Sequence, residues 1–356
     1  MKVATIKARI LELPYRKPLI TAANRFSKAG GLLVEAVSEE GLAGFGYADL
    51  FPRTGETLGS ATYAVERIIK PAIEGKNIDE IGKIEREINR LLTGNPRVKS
   101  AVESALCDLL ARQLGIPLCL LLGGAVKEEV RVIRFVGLAE PEVMAEDARE
   151  LVSRGFDALK LKISGDPELD TIRVAKVREA VGDDIFIKVD ANESYDVKSA
   201  IRAAKKLADF GVEIFEQPVP RAQIEALMEV KRSSPIKVEA DQSAVSVSDA
   251  YRLIKDGVVD SINTSVQKAG GLRQARQIAE LCGIVGVDCA FGNTAGSMVG
   301  DAAALHLAVS CDAVSYLCEL GEFESVADDP FSGLEIDAGI LRVPSGEGLG
   351  ITRLKS

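Results

Sequence analysis

Four short runs decide how this 356-residue chain is read: ALKLKI (158–163), IFIKVDAN (185–192), VEIFEQP (212–218) and KVEADQS (237–243). Each is rich in β-branched or other aliphatic residues, ends on polar residues, and leads into a stretch with helical periodicity. Four more runs share that form: RVIRFVGL (131–138), VDSINTSV (259–266), VDCAFGN (287–293) and AVSYLCEL (313–320). The polar residues at their ends, Lys162, Asp190, Glu216, Asp241, Ser265, Asn293 and Glu319, follow one another at intervals of 24 to 28 residues. That interval is one strand–helix unit, and eight strands repeated at it predict a (β/α) barrel. An open doubly wound sheet is the alternative, but no GxGxxG turn follows the first strand.

The first 125 residues have another texture. MKVATIKARILELPY and GGLLVEAVSEEGLAGFGYADL alternate as strands with a turn at EEG. ETLGSATYAVERIIKPAIEG, NIDEIGKIEREINRLL and the run from Val98 to Leu122 carry helical periodicity and stop at Gly123-Gly124. The expected organisation is an α+β capping domain over 1–125, completed by the C-terminal segment 325–356, and a barrel over 126–324.

Composition narrows the function classes. The formal charge is −9 and there is no basic run, which argues against a nucleic-acid surface. No apolar stretch is long enough to span a bilayer, and the N-terminus lacks a signal-peptide core. Six scattered cysteines with no CxxC pair read as reduced core thiols, and so as a cytoplasmic protein. The single histidine, His306, lies in a helical run, which excludes a multi-histidine metal site and disfavours a Ser-His-Asp triad.

Polar residues at strand C-termini gather at one mouth of a barrel. Asp190, Glu216 and Asp241 end three successive strands, an all-oxygen set suited to Mg²⁺, with Mn²⁺ as a substitute. Asn192 shares the face of Asp190 and can brace a ligand or the substrate. Lys160 and Lys162, two residues apart, point to one face of the preceding strand, where that cluster offsets their charge. A lysine beside another lysine and a metal is expected to have a depressed pKa, which suits a base that removes an α-proton from a metal-bound carboxylate. Lys188 and Glu239, each two residues before a ligand, are expected to pair one layer deeper.

With KxK followed by Asp, Glu and Asp on successive strands, the chain resembles the enolase superfamily. It is most similar to its muconate-lactonizing-enzyme subgroup, which includes dipeptide epimerases and o-succinylbenzoate synthases. The resemblance extends through AVESALCDLLARQLGIPLCLLLGG, AGGL, AAALHLA and PSGEGLGI. It implies a modified TIM barrel of the (β/α)7β type under an α+β cap. It also implies that the cap loop around 21–26, with Thr21 and Arg25, helps to select substrate. Because His306 falls in a helix, the mandelate-racemase branch, which uses a seventh-strand histidine, is disfavoured. The subgroup's second catalytic lysine aligns with Ser265 in INTSVQKAGG, and Lys268 falls on the pattern's other lysine, just past the strand end. Gln242 replaces the usual glutamate after Asp241, and the dipeptide-binding DxD appears as Glu319-Leu320-Gly321, half retained.

The residues expected to work are therefore Lys162 and Lys160 with Lys268, around metal ligands Asp190, Glu216 and Asp241. Asn192, Ser265, Asn293, Glu319, Thr21 and Arg25 are expected to line the substrate pocket. With serine at the second-lysine position, a one-base lyase (dehydratase) or cycloisomerase acting on a small carboxylate is the leading expectation. A racemase or epimerase of an amino-acid derivative or dipeptide is the second, and a barrel that binds metal and carboxylate without turnover the third. A homo-oligomer is compatible with each.

Overall fold

The computed structural model describes residues 1–21, 25–50, 54–315 and 317–354. Three long antiparallel strands, β1 (Val3–Ile20), β2 (Arg25–Ser38) and β3 (Ala43–Asp49), form the N-terminal sheet in the order β1-β2-β3. Its inner face carries Leu32, Val34 and Ala36 against helical turns at Ala61–Ile73 and the helix Pro96–Leu114. Gly44 and Gly46 of β3 let that helix lie on the strand: a β carbon at either would collide with the backbone of Ala101, Ala105 or Leu109. The helical run expected from Val98 to Leu122 is broken in two. The helix ends at Leu114 with Gly115 left-handed (φ 67°), and a short turn, Leu118–Leu121, follows Pro117.

The barrel begins with β4 (Glu129–Val132) and β5 (Arg134–Val136), one strand interrupted at Ile133. There follow β6 (Ala158–Lys162), β7 (Phe186–Asp190), β8 (Val212–Glu216), β9 (Lys237–Ala240), β10 (Ser261–Thr264), β11 (Asp288–Phe291) and β12 (Leu317–Cys318). From β5 to β11 neighbours in sequence are neighbours in one parallel sheet. The circle closes through β12, which pairs parallel with β4 and meets the end of β11 at the Gly292–Glu319 bridge. Buried aliphatic residues of the strands and of the helices from Pro141–Ser153 to Met298–Val309, the last buried on every side, make one continuous core. Asp166, Asp196, Ser246 and Ser297 cap four of those helices with their side chains.

Cap and barrel are joined by a plug. Tyr47 of β3 is 2% exposed, and its ring fills a slot in which a β carbon at Gly296 would stand 2.6 Å away. The C-terminal segment touches both parts. Phe331 packs edge-on against Phe45 of β3 at 5.1 Å, while the hairpin formed by Ile336–Asp337 and Ile340–Arg342 extends β4 antiparallel. All six cysteines are buried and free, and no helix among the described residues is long and apolar enough to cross a membrane.

Candidate active site

Register sets the mouth. Lys162 pairs with Asp190, Asp190 with Glu216, and Glu216 with Glu239 across β6, β7, β8 and β9. Asp241 follows the end of β9. The strands leave the barrel through strained turns: Asn192, Glu193 and Gln217 all have positive φ (45°, 73° and 35°). Gln217 holds its turn by using its whole amide. Its Oε1 accepts from Asp241 N (3.1 Å) and Ser243 N (3.0 Å), and its Nε2 donates to Val219 O (2.9 Å) and Ser243 Oγ (2.9 Å). The backbone carrying Asp241 is thereby fastened to the end of β8.

Above the strands lies a cavity of about 560 Å³ between barrel and cap. Lys160, Lys162, Lys268, Asp190, Glu216, Asp241, Asn192, Ser265, Asn293, Glu319 and Thr21 all line it. Arg25 does not: it is exposed, with its backbone paired to Ile20. Residues 22–24 of the same expected loop lie outside the described residues. Phe26 of the expected cap loop lines it too, and Leu19, Leu50, Phe135 and Val245 add an apolar wall that no motif announced.

The two lysines of KxK are held differently. Lys162 Nζ is 2.5 Å from Asp190 Oδ2, with the Phe135 ring 5.9 Å away. Lys160 Nζ sits deeper among three carboxylates: Glu319 Oε2 (2.5 Å), Glu216 Oε2 (3.1 Å) and Asp190 Oδ2 (3.4 Å). Burial opposes its charge, but Glu216, Glu319 and Asp190 outweigh burial and hold its pKa well above the ordinary lysine value. Carboxylates rather than a second ammonium are its nearest neighbours. Asp190 is buried too, yet Lys162 and Lys160 bring its pKa down to about 2.

One layer down, Lys188 contacts Glu239, Glu319 Oε1 (2.5 Å) and Glu216 Oε2 (2.8 Å), which includes the pairing expected between Lys188 and Glu239. Burial, Asp190 and Glu319 push Glu216 upward against the pull of Lys160 and Lys188. Burial likewise raises Glu239. Glu216, Glu239 and Glu319 offer oxygens within 4.8 Å of one another, a spacing compatible with a metal ion. The Lys188 ammonium already touches all three, so the triad is satisfied as it stands. Glu319, expected to meet substrate, has one oxygen on Lys160 and the other on Lys188.

Lys268 is the largest departure from the alignment of INTSVQKAGG. Ser265 Oγ accepts from Lys268 N (3.0 Å), capping the short turn Val266–Ala269. The turn carries the Lys268 side chain back over the mouth, where Nζ contacts the Asp241 carboxylate and donates to Asn263 O (2.8 Å). A residue beyond a strand end reaches the site because the chain coils immediately after the strand. β6 and β10 stand four places apart in a ring of eight, so Lys162 and Lys268 approach the cavity from opposite walls. Asp190, Glu216 and Asp241 lie between them.

Each of these three carboxylates is backed by a carboxamide. Asn192 Nδ2 donates to Asp190 (3.1 Å), Asn263 Nδ2 to Glu216 (3.4 Å), and Gln242 Nε2 to Asp241. Asn263 is a site residue the motif reading missed; its place two residues before Ser265 on the same strand face was the available signal. His306 is buried in its helix, accepts from Cys119 N (3.1 Å), and is driven down to about 4 by burial. It does not line the cavity.

Comparison with known proteins agrees with this geometry over the whole chain. Residues 5–123 match the family model of the mandelate racemase/muconate lactonizing enzyme N-terminal domain, and residues 143–354 match that of the enolase C-terminal domain-like family. The crystal structure of a dipeptide epimerase from Enterococcus faecalis, complexed with Mg and the dipeptide L-Leu-L-Tyr, superposes with a TM-score of 0.95. It is 34% identical, with 99% of this chain and 100% of that one covered. Muconate cycloisomerase 1 of Rhodococcus opacus is 31% identical over 99% of this chain and 96% of its own. An N-succinyl-L-Arg/Lys racemase of Bacillus cereus is 28% identical, covering 99% and 95%. The chain is an enzyme of the mandelate racemase/muconate lactonizing enzyme family within the enolase superfamily, in its muconate-lactonizing-enzyme-like subgroup.

Proposed function

We propose that this enzyme racemises or epimerises a carboxylate substrate, an amino-acid derivative whose nitrogen is acylated, by moving its α-proton between Lys162 and Lys268. The observation that carries this reading is the pair of lysines on opposite walls. Inversion at carbon needs one group to remove a proton from one face and another to return it on the other. The leading expectation of a one-base lyase or cycloisomerase rested on Ser265 standing at the second-lysine position. With Lys268 in the cavity that preference lapses, although the muconate cycloisomerase relative keeps cycloisomerisation as the second reading.

Asp190, Glu216 and Asp241 would hold Mg²⁺ or Mn²⁺, and the bound ion would supply positive charge beside the substrate carboxylate and acidify its α-proton. The donor set fits: oxygen ligands come from three successive strands, each backed by an amide. Charge fits as well. With one lysine of the pair neutral as the base, three ammonium groups meet five carboxylates (Asp190, Glu216, Glu239, Asp241 and Glu319), leaving two negative charges for a divalent ion to offset. Lys160, fixed as an ammonium, is placed to steady the negative charge that gathers when the α-proton leaves.

Acylation of the nitrogen is supported by the pairing at Glu319, whose two oxygens are held by Lys160 and Lys188 and so have little to offer a free α-ammonium. The Bacillus cereus relative is named for an N-succinyl substrate and the Enterococcus faecalis relative for a dipeptide, whose C-terminal residue also carries an acylated nitrogen. The test is incubation in D₂O with Mg²⁺ and separate pools of N-acyl L- and D-amino acids. Inversion with deuterium at the α-carbon is expected. Lys162→Ala and Lys268→Ala should each lose inversion while still exchanging one antipode. Elimination, or exchange without inversion in the unaltered enzyme, would defeat the two-base reading.

A further inference from the structure

The residue before Lys268 is bound into a polar relay that starts in the cap. Gln267 is buried, and its Oε1 accepts from Asp49 N (2.8 Å) and Arg97 Nη1 (3.2 Å). Only an oxygen can accept from those two donors, so the orientation of the amide is determined. Its Nε2 therefore faces the barrel and donates to Asn293 Oδ1 (2.8 Å). Asn293 Nδ2 passes the chain to Asp301 Oδ1 (3.0 Å), which also accepts from Gly321 N (3.2 Å), while Asp301 Oδ2 accepts from Phe323 N (3.0 Å). Asn293, expected to bind substrate, is thus spent on this relay. At the cap end, Asp49 closes β3, and its neighbour Leu50 lines the cavity together with Arg97.

The other wall meets the cap elsewhere, where Leu138 N, two residues past β5, donates to Ile20 O (3.1 Å), and not through this relay. Lys162 leaves β6 with Asp190 and the ring of Phe135 as its neighbours, both barrel residues, and no group of the relay touches it. The turn Val266–Ala269 is only four residues long, and its seating depends on the Ser265 cap and on what Gln267 grips. We propose that Gln267 is a positioning residue for Lys268: through it the seating of the cap sets where that ammonium reaches, and the Lys162 wall is indifferent to the same contact. This rests on the two-base reading above and assigns to the two faces of the cavity unequal dependence on the Gln267 relay.

The test is α-proton exchange in D₂O, measured separately from each antipode of one N-acyl amino acid, for the unaltered enzyme, Lys268→Ala, Gln267→Leu and Gln267→Glu. Lys268→Ala identifies the antipode served by Lys268. Gln267→Leu is expected to slow exchange of that antipode by about tenfold or more, since displacement of a reacting group by about 1 Å can cost about 100-fold. The other antipode should stay within about threefold. Gln267→Glu keeps the acceptor for Asp49 and Arg97 and should restore part of the loss; it also guards against a folding defect in the leucine variant. Equal slowing of both antipodes, or no change in either, overturns the proposal. If Lys268→Ala spares both antipodes, the two-base reading fails and this proposal fails with it.

Discussion

Replacing Lys188 by methionine tests how the interior of the barrel is held together. The ammonium is 1% exposed and touches Glu216, Glu239 and Glu319, whose oxygens lie within 4.8 Å of one another. Methionine keeps the length and most of the volume, so the cavity contribution is small. What remains is three carboxylates facing one another. A single ion contact near 4 Å is worth about 4 kcal/mol at an effective dielectric constant of about 20. Against three such contacts stands the cost of burying the ammonium, and removal of one partner from a buried pair costs about 3–5 kcal/mol in all. Lys188→Met is expected to lose that amount in urea unfolding with chelator present, near pH 7.5. The sign of the pH effect follows from the carboxylates. Glu216 and Glu239 are already raised, and loss of Lys188 raises them further. The folded variant then holds protons that the unfolded chain has released above about pH 4.5, so stability falls as pH rises and the deficit shrinks toward about pH 5. A deficit below about 1 kcal/mol, or one that does not change with pH, would refute the view that Lys188 neutralises the triad.

Three other outcomes are expected. His306 titrates near 4 in the folded protein against an ordinary 6.5, so on acidification the unfolded chain takes up a proton first. Stability worth about 3 kcal/mol is lost as pH falls from 6.5 to 4. His306→Gln, which keeps an acceptor for Cys119 N, should remove that component from the pH dependence of urea unfolding; an unchanged profile would contradict it. Gly296→Ala places a β carbon 2.6 Å from Tyr47 Cε1 and should cost about 1–3 kcal/mol in thermal unfolding. A double-mutant cycle with Tyr47→Leu should recover much of it, and additivity would show that the plug is not the cause. Asp190→Asn should weaken Mn²⁺ binding by about tenfold or more in a spin-resonance titration, and retained affinity would move the metal elsewhere.

Much of the fold could be read from the sequence because it repeats. A strand ending on a polar residue at intervals of 24 to 28 residues leaves few architectures, and period two places Lys160 and Lys162, or Lys188 and Asp190, on one face. At β10 the periodicity reaches its limit. Strand phase places Ser265 inward, and it lines the cavity; Lys268, expected in the site through its reach, comes after the strand stops at Thr264 and a capped turn begins. Phase ends where the strand ends, and side-chain reach from a turn depends on contacts that come from elsewhere in the chain. Gln267 is the sharper case. Its partners Asp49 and Arg97 lie 218 and 170 residues away, and nothing local marks it.

The two lysines of ALKLKI show how one motif divides its labour. Their side chains share a strand face, yet the register sets Lys162 opposite Asp190 at the rim and Lys160 opposite Lys188 one layer below. At that depth Lys160 meets Glu216 and Glu319 as well as Asp190, and the carboxylates keep it charged. A group held so firmly as an ammonium is poorly suited to take a proton and well suited to face developing negative charge. Lys162 has one carboxylate partner and an aromatic ring for company, at the mouth where a substrate α-carbon can approach. The difference comes from Glu216 and from Glu319, which follows the last strand of the barrel. Closure of the barrel at β12 therefore does more than complete the sheet: it adds Glu319 to Glu216 and Asp190 around Lys160, and on the proposed reading leaves proton transfer to Lys162.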